Sequence, residues 1–475
     1  MLITFTFFLN AALNFVLGFA VAAVLGPEEF GRFAVASMIA IVLSTALFDW
    51  LRLSVTRHYN EVNRESDPAL RASLDAVYLG SALLLAGGAV VVVIFGIDLR
   101  LPAALLMVIA AASIANGQFE CWAALARARF LDTTYAKLVI TKNTIAFVSM
   151  VAAAMAFHSA IWVLGALTLS IAIAILAVWR RLHDPAARIA LARRDRIVGF
   201  AQYGLPIVAA NVIYQIVVLV NRWVAATKFG YADAGQLSLA TDLSIRLLLA
   251  VGAGFDVFLF QLAVRRETTH GRSAAHSQIA NNMILIAAAL IPLAAGYAAT
   301  MPSFQAVFVP VRFRGAFSEI SLILIPGIVA FCFTQFAFGP VFQLAGRTRP
   351  LAWAAAAGLA TDVILLVLLP GNSGMAEFAL VHSVSLVVAC AIAALMASRV
   401  RECWPPLRDF AAVLIATGAM TGAVWPTRTI NPPWLAFVCA IAIGVPVYAI
   451  LVMLFDVAGL RSMVGNRLGF VQRVP

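Results

Sequence analysis

The stretch LGPEEFGRFAVAS, residues 25–37, holds two glycines in the spacing G-x-x-x-x-G, with which a phosphate-binding loop begins. Such a loop needs a lysine and then a serine or threonine after its last glycine, and a strand before its first. Here Arg32 and Phe33 follow Gly31, and the apolar run FVLGFAVAAV precedes Gly26. The stretch is therefore not a nucleotide site, and its glycines need another explanation.

The composition of the chain shows the setting of this stretch. Of 475 residues, 63% are hydrophobic and only 12% are charged, and the mean hydropathy is +0.97. A soluble protein has about 45–50% apolar and about 25% charged residues. This much apolar sequence cannot be buried in a soluble core, so we predict an integral membrane protein.

Apolar runs long enough to cross a bilayer recur along the whole chain. Hydrocarbon about 30 Å thick requires a helix of about 20 residues. Fourteen such runs are present: 4–25, 34–56, 74–95, 103–126, 138–157, 160–179, 200–225, 236–264, 278–300, 317–342, 351–369, 375–397, 410–425 and 435–456. They are continuous, unlike the alternating strands of a barrel, and a helix satisfies its own backbone hydrogen bonds in lipid. We predict an all-α polytopic membrane protein with about 14 transmembrane helices.

Basic residues are distributed unevenly between these predicted spans. With the N-terminus placed inside, the inner segments hold 23 of the 33 Lys and Arg residues, and the outer turns hold 6. Because Lys and Arg gather on the cytoplasmic side, the pattern predicts that both termini are cytoplasmic. The net charge of +11 follows from this bias beside anionic lipid head groups, so we expect no nucleic-acid partner.

No motif in the sequence indicates a cofactor. The five cysteines form no C-x-x-C pair, which speaks against a disulfide framework or a zinc site. The longest outer connection, 301–316, has sixteen residues, which is short for the extramembrane domain of a polymerase or glycosyltransferase. We therefore expect no catalytic residue, no metal and no cofactor, and no enzymatic activity.

The opening stretch recurs 204 residues downstream. FGYADAGQLSLAT, residues 229–241, aligns with it so that Gly26 falls on Gly230 and Gly31 on Gly235. A second match follows in order, since FDWLRLSVTRH in span two resembles FDVFLFQLAVRR in span eight. Two matches in the same order predict an internal duplication.

The repeated stretch has the features of a turn between helices. We predict that Gly26 ends one helix in the left-handed conformation. Pro27 suits the first turn of the next helix, and Glu28 and Glu29 suit its positive end. Gly31 has no side chain to block close helix packing.

The repeat also predicts a domain organisation. Span one matches span seven, so each copy has six helices, and the copies are parallel about an axis along the membrane normal. We predict a six-helix bundle at 1–182, a basic cytoplasmic linker at 183–199, a second bundle at 200–400, and two accessory helices with a cytoplasmic tail at 401–475. We expect a cavity between the copies that opens to each side in turn.

Several motifs in order resemble one family of membrane proteins. They are LGPEEFGRFA, LFDWLRLSVTRHYNE, GFAQYGLPIVAANVIYQIVVLVNRW, VFVPVRFRGAFSEISLILIPGIV, FQLAGRTRPLAW and LLPGNSGMAEFALVHSVSLVV. Together they resemble the polysaccharide-transporter family, which comprises the O-antigen and exopolysaccharide flippases of the multidrug/oligosaccharidyl-lipid/polysaccharide superfamily. The resemblance covers residues 1–400. The chain departs from the family in lacking a basic N-terminal tail, and in having Asp49-Trp50-Leu51 where Asp-x-Gly-Leu is common.

The resemblance implies a function. It implies a two-bundle transporter in the bacterial inner membrane that carries a polyprenyl-diphosphate-linked oligosaccharide across by alternating access, for export of a surface polysaccharide. The partners it implies are this lipid-linked oligosaccharide, membrane lipids, and a polysaccharide polymerase or glycosyltransferases. Two alternatives stay open: a drug or cation antiporter of the same superfamily, and a non-transporting scaffold of a polysaccharide export machine.

Charged residues within the spans are the candidate site residues, because a charge near the bilayer centre costs at least about 2.5–3.5 kcal/mol. Arg246 lies near the middle of span eight, and Arg222 and Arg52 lie nearer the interfaces. Guanidinium groups match phosphate oxygens with paired donors, so we predict that these three arginines bind the diphosphate. The alternatives are that Arg246 neutralises Asp242 one turn earlier, and that the other two extend toward lipid phosphates.

Four further ionisable residues in the spans are candidates for binding a coupling ion or a proton. They are Asp242, Asp49, Asp362 and His382. Asp362 and His382 lie in neighbouring spans and are candidates for relaying a proton or for binding the coupling ion, and Asp242 and Asp49 are the rival candidates.

Overall fold

The computed structural model describes residues 2–97, 101–345, 349–400 and 404–461, and every regular element among them is helical. The α-helices are α1 Leu2–His58, α2 Glu61–Ser66, α3 Pro68–Ile94, α4 Ala103–Ala128, α5 Asp132–Phe157, α6 Ala160–Leu182, α7 Arg194–Lys228, α8 Tyr231–His270, α9 Arg272–Ala299, α10 Met301–Phe308, α11 Ala316–Phe333, α12 Gly339–Leu344, α13 Arg349–Leu368, α14 Met375–Ser398, α15 Leu407–Val424 and α16 Pro433–Leu454. A π-helical turn, Thr334–Phe338, joins α11 to α12. The predicted all-α class is confirmed.

The number of membrane-spanning helices agrees with the sequence prediction. Twelve helices of the described residues are long and apolar enough to cross a membrane, and α7, which bends by 42° after Ala209, makes a thirteenth. One of the twelve, Leu13–His58, has 46 residues and would be about 69 Å long, more than twice the hydrocarbon thickness. The whole of α1, Leu2–His58, is broken at Gly26, so it supplies two spans, and the total is fourteen.

The two repeat-related glycines break the helices where the sequence predicts. Gly26 has φ 75° and Gly230 has φ 99°, a region that L-residues rarely enter. The predicted left-handed helical conformation at Gly26 is wrong, because its ψ of 175° is extended. Pro27 follows directly, and a proline disfavours helical ψ at the residue before it. Gly26 therefore occupies an extended, positive-φ region open essentially to glycine alone.

The chain divides into two compact units, Met1–Ser238 and Leu239–Pro475. The first holds α1 to α7 and the first turns of α8, and the second holds the rest of α8 and the helices that follow. The division predicted from the repeat, with bundles at 1–182 and 200–400 and a linker at 183–199, stays a prediction.

In the first unit, α1 packs against α4, α5, α6 and α7. It runs antiparallel to α7, since the Ser54 hydroxyl lies 3.4 Å from the Phe200 carbonyl oxygen and Trp50 lies against Gly204. A Cβ atom on Gly204 would lie 2.7 Å from the Trp50 carbonyl oxygen. The absence of a side chain at Gly204 therefore allows α1 and α7 to approach this closely.

A network of ion pairs joins the ends of several helices in the first unit. Arg129, just after α4, donates to Glu61 in α2 over 2.6 Å, and Arg64 donates to Asp184, just after α6, over 3.2 Å. The hydrogen bond from Arg129 lowers the pKa of the Glu61 carboxyl below its ordinary value. The short helix α2 is thereby fixed to the ends of α4 and α6.

In the second unit, α14 packs against both α11 and α13. The two C-terminal helices belong to this unit: α15 packs against α9, and α16 packs against α10 and α15. Their contacts include a hydrogen bond of 2.7 Å from the Tyr448 hydroxyl to the Ala288 carbonyl oxygen. Arg428 donates to the Ala299 carbonyl oxygen over 2.8 Å, which satisfies a free carbonyl at the end of α9.

Candidate functional site

The structure brings Asp362 of α13 and His382 of α14 together. Their side chains are 0% and 2% exposed, and Asp362 Oδ1 lies 3.8 Å from His382 Nδ1. This distance is within ion-pair range but longer than a hydrogen bond. Two ionisable groups so deeply buried are stable only if they compensate each other.

Close helix approaches bury this pair. A Cβ atom on Gly358 of α13 would lie 2.9 Å from the Ala389 Cβ in α14. On the other side of α14, a Cβ atom on Gly327 of α11 would lie 2.6 Å from the Ser383 Cα. The Ser383 hydroxyl also accepts a hydrogen bond of 3.0 Å from the Gly327 amide. Glycines on both neighbouring helices thus allow α14 to pack closely enough to exclude water from the Asp362–His382 pair.

Arg52 and Asp49 form one ion pair within α1. Arg52 donates from Nε to Asp49 Oδ1 over 2.7 Å and from Nη2 to Oδ2 over 3.0 Å. Both side chains are half-buried, with 26% and 17% exposed. From the sequence, Arg52 was predicted to bind the cargo and Asp49 to bind the coupling ion. The structure joins them in a two-point contact, so any ligand of Arg52 meets a carboxylate as well.

Arg222 lies in a different environment from the one expected for a cargo-binding residue. Its side chain is 6% exposed, and Nη1 donates to the Ala34 carbonyl oxygen of α1 over 3.3 Å. Ala34 and Arg52 are 18 positions apart on α1, or about 27 Å at the helical rise. The structure therefore places Arg222 and Arg52 at opposite ends of one helix pair. A cargo-binding role of either residue stays a prediction.

Arg246 and Asp242 lie one helical turn apart on α8, in the second unit. Arg246 is exposed and Asp242 is half-buried. Of the three arginines predicted to bind the cargo, Arg246 is the most accessible one, since Arg52 is half-buried and Arg222 is buried. Its role in binding stays a prediction.

Sequence reasoning missed an apolar cavity in the second unit. It has a volume of about 380 Å³ and lies between α9, the π-helical turn Thr334–Phe338 and the start of α15. Its lining includes Met283, Phe333, Phe338 and Phe410. The lining residues are apolar like the spans around them, so hydropathy alone carries no signal for the cavity. Prolines on both sides of the π-helical turn, in IPGIVAFCFTQFAFGP, were the available signal.

A second feature that sequence reasoning missed is a pair of buried amides in α9. Gln278 Nε2 donates to Asn282 Oδ1 over 2.7 Å, and Asn282 Nδ2 donates to the Leu259 carbonyl oxygen of α8 over 2.8 Å. The polar run SQIANN at the start of span nine was the signal for it. In the part of the chain that the structure describes, no group of three or more His, Cys, Asp or Glu residues is arranged to hold a metal ion.

Comparison with known proteins gives a match at the level of structure only. No family model matches the sequence, and no curated protein matches it either. Superposition on a solved structure described as the lipid II flippase MurJ in an inward closed conformation covers 97% of this chain and 99% of that chain, with a TM-score of 0.73 and 14% sequence identity. In fold, this chain is similar to MurJ.

The likeness to MurJ extends over nearly the full length of both chains. A multidrug resistance MATE family transporter of the MOP superfamily, in an inward-facing conformation, is also similar, with a TM-score of 0.58, 14% identity, and coverage of 86% of this chain and 96% of that chain. The fold expected from the sequence resemblance is thereby confirmed. The narrower assignment, to O-antigen and exopolysaccharide flippases, stays a prediction.

Proposed function

We propose that the chain is a transporter that flips a polyprenyl-diphosphate-linked oligosaccharide across the bacterial cytoplasmic membrane by alternating access, for export of a surface polysaccharide. The observation that carries this proposal is the similarity in fold, over nearly the whole chain, to a protein described as a lipid II flippase. The motifs shared with polysaccharide transporters support the same class of cargo. Expected partners are the lipid-linked oligosaccharide, membrane lipids, and a polymerase or glycosyltransferases of the same pathway.

The anionic diphosphate of such a cargo requires cationic groups within the spans. Arg246 is exposed ten residues inside the predicted span eight, where its guanidinium can bind phosphate oxygens at two points. The Arg52–Asp49 pair is half-buried and can exchange its carboxylate partner for a phosphate. We assign the main contact with the diphosphate to Arg246 and a secondary one to Arg52.

The polyprenyl tail of the cargo requires an apolar surface. The cavity beside the π-helical turn has an apolar lining and a volume of about 380 Å³, which lies within the range of small-molecule pockets. The start of α15, the first of the two C-terminal helices, forms one wall of the cavity. We assign a segment of the tail to this cavity.

Transport against a gradient requires coupling to an ion. With Asp362 deprotonated and His382 neutral, the buried pair carries one negative charge. One added proton makes the pair neutral overall, whichever of the two residues holds it. We assign proton coupling to this pair. Asp242 and Asp49 are the other predicted candidates, and each lies one helical turn or less from an arginine.

The test is flipping by the purified chain in proteoliposomes. A fluorescent polyprenyl-diphosphate oligosaccharide is placed in both leaflets, and an impermeant reagent then quenches the outer pool. We expect the protein to increase the quenched fraction, Arg246→Ala to abolish the increase, and Arg246→Lys to retain part of it. A matched control is Arg428→Ala, which also removes an arginine but one that caps the end of α9. This variant should flip the cargo as wild type does. Equal flipping by Arg246→Ala and wild type would contradict the assignment of the diphosphate contact.

The likeness to a MATE transporter favours one alternative, a drug or cation antiporter. The assay separates the two, because an antiporter would move organic cations in exchange for protons and would leave the lipid-linked oligosaccharide in place. A non-transporting scaffold would move neither. In cells, deletion of the gene should cause lipid-linked repeat units to accumulate on the cytoplasmic leaflet if the chain is the flippase.

A further inference from the structure

The two copies of the repeated turn contact each other through their backbones. A Cβ atom on Gly31 would lie 1.9 Å from the Tyr231 carbonyl oxygen, and a Cβ atom on Gly235 would lie 2.0 Å from the Pro27 carbonyl oxygen. The 204-residue repeat relates the two pairs to each other, since it places Gly31 on Gly235 and Pro27 on Tyr231. The contact is therefore reciprocal. The glycine of each copy packs on the residue four positions before the glycine of the other copy, Gly31 on Tyr231 and Gly235 on Pro27. We call these four residues the glycine crossing; all of them lie in the first unit.

Only glycine permits this approach. Real Cβ atoms essentially never lie within 3.0 Å of a backbone oxygen, so any side chain at Gly31 or Gly235 separates the two helices. In place of a side chain, each glycine directs a Cα hydrogen at a carbonyl oxygen, a weak attraction that recurs where helices approach closely. The crossing is thus tight but involves little side-chain surface.

Each helix of the crossing begins at a break. Gly26, with φ 75°, precedes Pro27, and Gly230, with φ 99°, precedes Tyr231. A positive-φ glycine at this position can absorb a change of direction between two helices. Both helices of the crossing therefore have a hinge one residue before the contact.

Two charged side chains beside the crossing, Arg32 and Glu28, are exposed. Arg32 donates to Glu28 over 2.7 Å and lies 5.3 Å from the centre of the Tyr231 ring. Glu29 accepts a hydrogen bond of 2.8 Å from the Ala160 amide, and so also binds the start of α6. The side chains of Arg32 and Glu28 are 39% and 64% exposed. Separation of the helices would therefore leave the charges of Arg32 and Glu28 exposed.

We propose that the glycine crossing is a lock that holds this end of the first unit closed, and that its release is a step of the transport cycle. The inference rests on the proposed transport function. A weak, reciprocal backbone contact, with a hinge before each helix and the exposed Arg32–Glu28 pair beside it, can close and open at low cost.

The test is the accessibility of a reporter cysteine beside the crossing. Ala34 is 3% exposed and lies one helical turn after Gly31, and Ala34→Cys is introduced into a variant without native cysteines. Labelling by an impermeant maleimide should be slow in this background. Addition of Gly31→Ala should accelerate it by at least about tenfold, which corresponds to 1.4 kcal/mol in the closing equilibrium. The matched control is Gly165→Ala, because no atom lies within 4 Å of a Cβ at Gly165.

The reciprocal geometry gives a second readout. Gly235→Ala should accelerate labelling as much as Gly31→Ala, and the double variant should add little, because one side chain already separates the helices. If the glycine variants do not fold, Arg32→Ala, which removes the contact with the Tyr231 ring, should accelerate labelling by a smaller factor. Folded variants that label as slowly as the parent would overturn the proposal.

Labelling requires no cargo, so the two proposals can fail separately. If the reporter responds as expected while proteoliposomes flip no lipid-linked oligosaccharide, the lock stands and the proposed cargo is wrong. If flipping is observed and is as fast in Gly31→Ala as in wild type, the cargo stands and the lock is wrong.

Discussion

Substitution of Asp362 by Asn tests whether the buried pair in the second unit carries charge. At an effective dielectric constant of about 20, two unit charges at the observed 3.8 Å attract each other by about 4 kcal/mol. Removal of one partner of a buried pair typically costs about 3–5 kcal/mol. Asn has nearly the volume of Asp, so no cavity contributes. We therefore expect Asp362→Asn to lower the free energy of unfolding by about 3–4 kcal/mol.

The assay is unfolding of the purified protein by SDS in mixed micelles, followed by circular dichroism. His382→Gln should destabilise the fold by a similar amount, and the double variant should cost less than the sum by about 2–3 kcal/mol. Ser385→Ala is the control, because Ser385 is buried in the same helix and its hydroxyl donates only to the His382 carbonyl oxygen. If Asp362→Asn unfolds within about 0.5 kcal/mol of wild type, the pair is uncharged in the folded chain and the reasoning is refuted.

Three further predictions concern the ion-pair network, a helix crossing and the cavity. The hydrogen bond from Arg129 lowers the pKa of Glu61, so Glu61→Gln should cost about 0.5–1 kcal/mol at pH 7. The difference in unfolding free energy between Glu61→Gln and wild type should shrink as the pH falls below 4.5, the ordinary pKa of Glu. It should be absent once the pH is below the lowered pKa of Glu61 in the folded chain. Gly204→Ala, whose Cβ would lie 2.7 Å from Trp50, should cost about 1–3 kcal/mol in the same unfolding assay. Ala337→Leu, which narrows the cavity, should slow flipping of a long-tailed cargo more than of a short-tailed analogue.

Each of these predictions has a matched control. Glu65→Gln changes an exposed carboxylate of the same short helix and should show no pH-dependent difference. Gly199→Ala adds a Cβ with no neighbour within 4 Å, so a loss equal to that of Gly204→Ala would show that helix packing is not the cause. Ala330→Leu enlarges a half-buried residue of α11 that is not among the lining residues of the cavity, and the ratio of long-tailed to short-tailed flipping should then stay unchanged.

The helices could be predicted from the sequence because each span carries its own signal. Hydropathy located even the short break between α5 and α6, where His158 takes a positive φ of 48°. The break at Gly26 was also predictable, because glycine before proline is a local signal, and the repeat places Gly230 at the equivalent position. The ψ angle of Gly26 was predicted wrongly because the rule for helix ends was applied without the restriction that Pro27 imposes.

The partners of the charged side chains could be predicted only in part. The spacing of Asp49 and Arg52 places them on one helical face, so their contact was available to the sequence analysis, which nevertheless gave them separate roles. The contact between Arg222 and the Ala34 carbonyl oxygen depends on how two helices are aligned along their length. Hydropathy does not encode this alignment, since it is set by close approaches such as that at Gly204.

The glycine crossing has a consequence for how the two copies of the repeat can diverge. Outside the crossing, each copy is free to acquire its own residues, and Glu29 and Asp233 already differ in length. At Gly31 and Gly235 the backbones of the two copies are in direct contact, so a side chain in one copy would clash with the other. We expect natural variants to keep both glycines, or to lose both together with a wider separation of the helices, so that the two alignment columns covary although 204 positions separate them.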